Sequence, residues 1–198
     1  MSTTLEILPT LAFAVVMVCW FVFGGIFLFR TKPTHAPDRS RDPRSRVGFI
    51  LQVLAYAIVW GWRREAFTPV FSGNRAVAVA ACLGAVLTAI GSVWIIMTAI
   101  KTLGKEWSIT ARLVEGHQLA TSGPYAFVRH PIYTGMLGML LATGLAVSYW
   151  QGIIAALGVL IVGAMIRIRS EERLLSAAFG SKFDDYSRRV PRLIPGIF

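Results

Sequence analysis

The amino-acid sequence predicts an all-α integral membrane protein with about five transmembrane helices in a single membrane domain, residues 1–198. Of these residues, 55% are hydrophobic and only 15% are charged, whereas a soluble domain of this length carries closer to a quarter charged residues. The basic residues lie in the gaps between apolar runs, where they set membrane topology. That distribution argues against nucleic acid as a partner, although the net charge is +10.

Five apolar segments account for the predicted helices. A bilayer is crossed by about twenty apolar residues, and the shorter segments are expected to thin the bilayer or to pack mostly against protein. The last two segments are joined by only a few residues and should form a tight antiparallel hairpin. The first segment lacks the leader and cleavage site of a signal peptide. The segments are Leu5–Phe29, Val47–Trp62, Ala76–Ile100, Thr134–Tyr149 and Gln151–Ile168.

The basic residues also predict the orientation of the chain. Seventeen of them fall in the connections 30–46 and 101–133 and in the tail from residue 167, against three on the other side. The positive-inside rule places the seventeen in the cytoplasm, the N-terminus outside and the C-terminus inside. The short chain suggests a bacterial inner membrane. Three prolines in residues 31–46 predict a flexible loop that contacts lipid headgroups.

A polar motif lies at the start of the fourth segment, in residues 123–135. Pro131 suits the first turn of a helix, where its missing N–H costs nothing. The first-turn amides favour an anion, and Arg129 and His130 stand beside them. The alternative is that these two residues only flank a membrane helix and set topology.

A second polar group follows the fifth segment, where Glu171 and Glu172 lie about one helical turn after Arg167. Two carboxylates at a helix end could hold an amine-bearing ligand, or they could form a solvated helix start. Apolar residues beyond them predict an amphipathic helix on the cytoplasmic surface, interrupted by Gly180. The proline-bounded stretch 190–195 could fold over a site.

Other cofactor and metal motifs are missing from the sequence. It has no dinucleotide-binding glycine motif, P-loop, zinc-protease motif or nucleophile elbow. Cys19 and Cys82 lie in apolar runs and are interpreted as small buried hydrophobes. We therefore expect no catalytic metal.

Taken together, the two polar motifs resemble the signatures of the isoprenylcysteine carboxyl methyltransferase family. The resemblance covers about residues 101–198. It rests on Gly123-Pro124-Tyr125-x-x-Val128-Arg129-His130-Pro131-x-Tyr133-x-Gly135 and on Glu171-Glu172-x-x-Leu175-x-x-x-Phe179-Gly180-x-x-Phe183-x-x-Tyr186-x-x-x-Val190-Pro191-Arg192-x-Ile194-Pro195.

The resemblance implies a membrane methyltransferase that uses S-adenosyl-L-methionine. The cofactor would bind on the cytoplasmic side, between the loop before the fourth helix, the last helices and the tail, and a lipophilic or prenylated acceptor would enter from the bilayer. The residues implied for catalysis are Arg167, Glu172 and Tyr133. Those implied for cofactor binding are His117, Leu119, Gly123, Tyr125, Arg129, His130, Tyr133 and Glu171.

The resemblance implies carboxyl methylation of an isoprenylcysteine-like acceptor. A carboxylate or thiolate acceptor needs no general base once it is ionised. Two alternatives remain: a phospholipid N-methyltransferase, whose acceptor is an amine, and a non-enzymatic membrane scaffold. A related architecture with a nicotinamide cofactor is a minor possibility.

Overall fold

The fold is a bundle of helices. The structure is a computed structural model, and it describes residues 3–29, 38–70, 73–104, 107–108, 112–114 and 118–194. The elements are α1 (Thr3–Phe29), β1 (Asp38–Arg41), α2 (Ser45–Gly61), α3 (Arg75–Leu103), β2 (Arg112–Val114), a 3-10 turn (Gly123–Ala126), α4 (Pro131–Val147), α5 (Trp150–Phe179) and α6 (Ser181–Arg189).

Three of the described helices are long and apolar enough to cross a membrane: Ile7–Leu28 within α1, α3 and α5. The apolar helices α2 and α4 are shorter, with 17 residues each. Pro131 is the first residue of α4, so the helix begins three residues before the predicted segment. These helices make the chain a membrane protein.

Helices α2 and α5 approach each other closely through two glycines. A Cβ atom at Gly48 would lie 2.6 Å from the Gly163 carbonyl oxygen, and one at Gly163 would lie 2.8 Å from the Gly48 carbonyl oxygen. Small residues allow membrane helices to approach this closely. The contact also fixes Arg167, because the same Cβ atom at Gly48 would lie 2.5 Å from its Cγ atom.

Helix α5 continues well past the predicted end at Ile168. Its 30 residues span about 45 Å at 1.5 Å per residue, whereas the hydrocarbon core of a bilayer is about 30 Å thick. The last turns, with Glu171 and Glu172, therefore lie beyond the membrane-spanning part. The predicted surface helix is wrong in its start, because Leu174–Phe179 continues α5. The separate helix α6 begins only after Gly180, whose φ is +50°.

The described part of the connection 31–46, residues 38–46, has more regular structure than predicted. Its residues 38–41 form β1, which pairs antiparallel with β2, and its last two residues belong to α2. Next to β1, the Asp42 carboxylate accepts a hydrogen bond of 2.8 Å from the Ser170 hydroxyl and lies 3.4 Å from Arg173. The prolines exclude a helix but not a strand, so the prediction of a flexible loop is wrong for residues 38–46. His35 lies outside the described residues.

Candidate functional site

The start of α4 is wrapped by the C-terminal tail. The backbone amides of Arg129 and His130 donate hydrogen bonds to the carbonyls of Pro191 and Arg192, at 2.8 and 3.0 Å. These amides precede the first turn of the helix, where backbone donors have no intrahelical partner. The tail therefore accepts hydrogen bonds from these two amides at the start of α4, and it is part of the candidate site.

Glu172 ties together three of the segments that build the site. Its carboxylate lies 2.9 Å from Arg129, 3.0 Å from Arg192 and 3.3 Å from His130. Burial favours the neutral acid, but hydrogen bonds from His130 and Arg192 outweigh burial and lower the pKa of Glu172 to about 2. The Glu172 carboxylate is therefore ionised, and it lies at the centre of a cluster of charged side chains.

The neighbouring Glu171 joins a second network. Its Oε1 atom accepts a hydrogen bond of 2.5 Å from the Tyr133 hydroxyl, whose oxygen in turn accepts one of 2.7 Å from Nε of Arg167. Its Oε2 atom lies 3.5 Å from Nδ1 of His130. Burial opposes a charged imidazole, but the hydrogen bonds to Glu171 and Glu172 raise the pKa of His130. His130 thus lies between two carboxylates that favour its protonated form.

A cavity of about 480 Å³ runs from this polar centre into the helix bundle. Its polar wall contains Arg129, His130, Tyr133, Arg167 and Glu171, and its deeper wall is largely aromatic and aliphatic. The deeper wall includes Trp20, Phe23, Phe27, Phe49, Gln52, Val53, Tyr56, Ile132 and Met136. The arrangement can hold a ligand with a charged end and an apolar end.

Most of the residues implied by the resemblance meet at this cavity. The ones that line it are Leu119, Tyr125, Arg129, His130, Tyr133, Arg167 and Glu171. Glu172 is not among the cavity-lining residues. His117 lies outside the described residues.

Gly123, which was also expected to contact the cofactor, is not among the residues that line the cavity. Its φ is +59°, and a Cβ atom there would lie 3.0 Å from the Thr102 hydroxyl. The turn that it opens carries Tyr125, whose carbonyl accepts a hydrogen bond of 2.7 Å from the Tyr186 hydroxyl. Burial raises the pKa of Tyr186 to about 12, so its hydroxyl stays a donor.

Sequence reasoning missed the part of the site that α1 and α2 provide. Trp20 lies 5.1 Å from Tyr56, measured between ring centroids, and both rings line the cavity. Phe49 and Gln52 line it from α2. Aromatic residues are common in membrane helices and gave no signal, but a glutamine inside an apolar segment was a detectable one.

The fold and the site define a class of membrane protein with a polar centre at one end of the bundle and an apolar cavity behind it. A family model described as phospholipid methyltransferase matches residues 79–182, which is more than half of the chain. The chain belongs to this family.

Three relatives with different names are similar to parts of this chain. The nickel-cobalt-cadmium resistance protein NccN of Alcaligenes xylosoxydans xylosoxydans is 33% identical over 117 residues, which cover 57% of this chain and 52% of NccN. Protein-S-isoprenylcysteine O-methyltransferase B of Arabidopsis thaliana is 35% identical over 102 residues, 50% of this chain and 51% of that protein. Methanethiol S-methyltransferase 2 of Bradyrhizobium diazoefficiens is 35% identical over 91 residues, 43% of this chain and 32% of that protein.

The relatives named as isoprenylcysteine methyltransferases confirm the resemblance found in the two motifs. The chain spans about half the length of the first curated relatives that it matches. Their names cover different methyl acceptors, so similarity alone does not identify the acceptor of this chain.

Proposed function

We propose that this protein is a membrane methyltransferase that uses S-adenosylmethionine to methylate the carboxylate of a lipophilic acceptor. One observation carries the proposal. Glu171 and Arg167 line one cavity, are bridged by the Tyr133 hydroxyl, and face an aromatic space that enters the bundle. An acidic group for one ligand and a basic group for another thus lie side by side.

The residues present fit S-adenosylmethionine, which has an ammonium group, ribose hydroxyls and a planar base. The Glu171 side chain is 27% exposed and faces the cavity, so its carboxylate would hold the ammonium group. Leu119 and Tyr125 line the same cavity and would pack against the less polar parts. Bound S-adenosylmethionine would supply an electrophilic methyl group on a sulfonium.

Catalysis by this chain would rest on positioning and on exclusion of water. The Arg167 guanidinium would orient the acceptor carboxylate, and Tyr133 would hold that guanidinium by accepting its Nε–H. The acceptor carboxylate, held in its ionised form, would be the nucleophile for the methyl group that the cofactor would supply. No proton is released, so no general base is needed.

Glu172 would be a positioning residue rather than a catalytic one. It contacts Arg129, His130 and Arg192 but does not line the cavity. Its role would be to hold the tail against the start of α4.

The arrangement in the membrane is also a proposal. Helices α1 to α5 would each cross the bilayer in one domain, with the N-terminus outside and the site on the cytoplasmic side of a bacterial inner membrane. The excess of basic residues at the end of the bundle with the site supports this orientation.

An amine acceptor is the competing reading, since the family model is described as phospholipid methyltransferase. Arg167 on the cavity wall favours an anionic acceptor, because a cation there would repel an ammonium group. Phosphatidylethanolamine and N-acetyl-S-farnesylcysteine, offered separately with labelled S-adenosylmethionine, would distinguish an N-methylated product from a base-labile methyl ester.

Calorimetry on the detergent-purified protein tests the cofactor site. S-adenosylmethionine and S-adenosylhomocysteine should bind, and Glu171→Gln should weaken binding about 10- to 100-fold because it removes the charge opposite the ammonium group. Arg63→Ala, an exposed residue at the other end of the bundle, is the control. Absence of binding to folded wild-type protein would refute the proposed function.

A further inference from the structure

Arg169 and Arg173 lie one turn apart on α5, and the proposed reaction uses neither of them. Both side chains are exposed, and neither lines the 480 Å³ cavity. They line a second, more open pocket of about 530 Å³, together with Glu172 and Ser176 of α5 and Phe183 of α6. A guanidinium group donates forked hydrogen bonds to phosphate oxygens. The walls of this second pocket therefore offer donors that suit a phosphate group.

The charges around the second pocket do not cancel. Arg173 lies 3.4 Å from the Asp42 carboxylate. Arg169 makes no ion pair in the part of the chain that the structure describes. The carboxylate of Glu172 is already shared by two other arginines, so it leaves the positive charge of Arg169 unbalanced. An anion is the ligand that this charge would attract.

The two arginines continue an exposed apolar stripe of α5. Ile154 and Val162 are 62% and 54% exposed, and Gly158 between them is exposed as well. Successive residues of a helix are rotated by about 100°, so Arg169 and Arg173 each lie within about 20° of Val162 around the helix axis. A lipid whose acyl chain packs along this stripe would therefore bring its headgroup to the two arginines.

The length of α5 places the arginines at the depth of lipid headgroups. Tyr149 and Trp150 are exposed at the opposite end of the helix, and such aromatic residues are typical of a membrane interface. Arg169 follows Trp150 by about 29 Å at 1.5 Å per residue, and the hydrocarbon core of a bilayer is about 30 Å thick. Arg173 lies about 6 Å further along the helix, within the headgroup layer.

We propose that Arg169 and Arg173 bind the phosphate of an anionic phospholipid at the surface of the bundle. The phosphate oxygens would accept hydrogen bonds from the two guanidinium groups, while an acyl chain packs along the stripe from Ile154 to Val162. A zwitterionic headgroup would bring an ammonium group next to the unbalanced charge of Arg169, so the site should prefer a lipid with net negative charge. This site goes beyond the proposed function and does not rest on it.

Native mass spectrometry of the detergent-purified protein tests the lipid site directly. Dioleoylphosphatidylglycerol and dioleoylphosphatidylethanolamine have the same acyl chains and differ in headgroup charge. The wild-type protein should bind the anionic lipid about 10-fold more tightly, because two arginines at headgroup depth attract it. Glycerophosphoglycerol, the same headgroup without acyl chains, should not displace the lipid at equal concentration, because it cannot pack on the apolar stripe.

Two pairs of substitutions locate the effect. Arg169→Gln combined with Arg173→Gln should reduce the preference to within about twofold, and Arg169→Gln alone should remove most of it, because this arginine has no ion pair among the described residues. Lys182→Gln combined with Arg188→Gln removes the same charge from exposed positions on α6 and should leave the preference unchanged. Circular dichroism in lipid-free detergent should show that both double variants are folded, since all four residues are exposed.

Equal or absent binding of the two lipids by the wild type would overturn the proposal. An unchanged preference in the Arg169→Gln, Arg173→Gln variant would do so too, as would an equal loss in the α6 control. Displacement of the lipid by glycerophosphoglycerol would show that the pocket takes a soluble phosphate ester. S-adenosylmethionine binding is measured separately in the calorimeter, so failure of the lipid site would leave the proposed function standing.

Discussion

Each end of α4 has an arginine beside it, Arg64 from the segment after α2 at one end and Arg129 from just before the helix at the other, and the two arginines play different parts. At the C-terminal end, Arg64 donates hydrogen bonds of 2.7 and 2.9 Å to the carbonyls of Leu145 and Ala146, and one of 2.5 Å to that of Ser148. At the N-terminal end, Arg129 lies 2.9 Å from the Glu172 carboxylate.

The difference separates a structural arginine from a site arginine. The last carbonyls of a helix have no intrahelical partner, and Arg64 donates hydrogen bonds to them. A positive charge at the C-terminal end of a helix also interacts favourably with the helix dipole. It does not line the 480 Å³ cavity. The N-terminal end has carboxylates and a tyrosine hydroxyl beyond what a helix start needs, and several of them face that cavity. We propose that the end with polar groups in excess of backbone needs is the functional end.

The largest expected effect is on the structural end. Arg64→Met should lower the free energy of unfolding by about 3–4 kcal/mol, because carbonyls of α4 lose a charged donor. Thermal unfolding in detergent, followed by circular dichroism, measures the change. Arg63→Ala removes an exposed neighbouring charge and should leave stability unchanged. An equal loss in both variants would contradict the role given to Arg64.

Lowering the pH should reduce the free energy of unfolding, because it protonates Glu172. Its folded-state pKa of about 2 lies below the ordinary value of 4.5, so the carboxylate contributes stability above pH 4.5. That contribution, about 3 kcal/mol, should be lost as the pH falls from 4.5 toward 2.

Unfolding free energies at pH 5 and pH 3 measure this loss. Glu172→Gln should be less stable at pH 5 and should lose less stability on acidification. The same acid dependence in the variant would assign the effect to another group.

Tyr133→Phe tests the hydroxyl that joins Glu171, which would hold the cofactor, to Arg167, which would orient the acceptor. The variant removes the hydroxyl between Arg167 and Glu171, so kcat/KM for methyl transfer should fall about 10-fold, or about 1.4 kcal/mol, through kcat. Affinity for S-adenosylmethionine should change by less than about threefold, because Glu171 keeps its charge. A loss confined to KM would show that Tyr133 acts only in binding.

The smallest effect concerns the connection that precedes α2. Asp42→Asn should cost about 0.5 kcal/mol, as for other ion pairs near the surface. Asp42 contacts Ser170, so Ser170→Ala should cost a similar amount, and the double variant should cost less than the sum of the two. Additive losses would show that the contact contributes nothing to stability.

Much of the site was predictable because the responsible patterns are local. Pro131 fixes a helix start, so Arg129, His130 and Tyr133 necessarily gather at one helix end. Gly180 has φ +50°, a conformation that glycine adopts without strain, and it interrupts the helix where the sequence indicated a break. The interrupted helix is α5, however, and not the separate surface helix that was predicted.

Local pattern could not separate Glu171 from Glu172. Adjacent residues on a helix point about 100° apart, so one carboxylate faces the cavity while the other meets Arg129 and Arg192. Which face is which depends on how α4 and the tail pack against α5.

The sequence by itself determined the membrane class, the apolar segments and the polar residues at the start of α4 and late in α5, because composition and periodicity act within one segment. Only the tertiary structure decided that α1 and α2 supply the deep wall of the cavity. Those contacts join residues far apart in the chain, and the close approach of Gly48 and Gly163 sets their geometry.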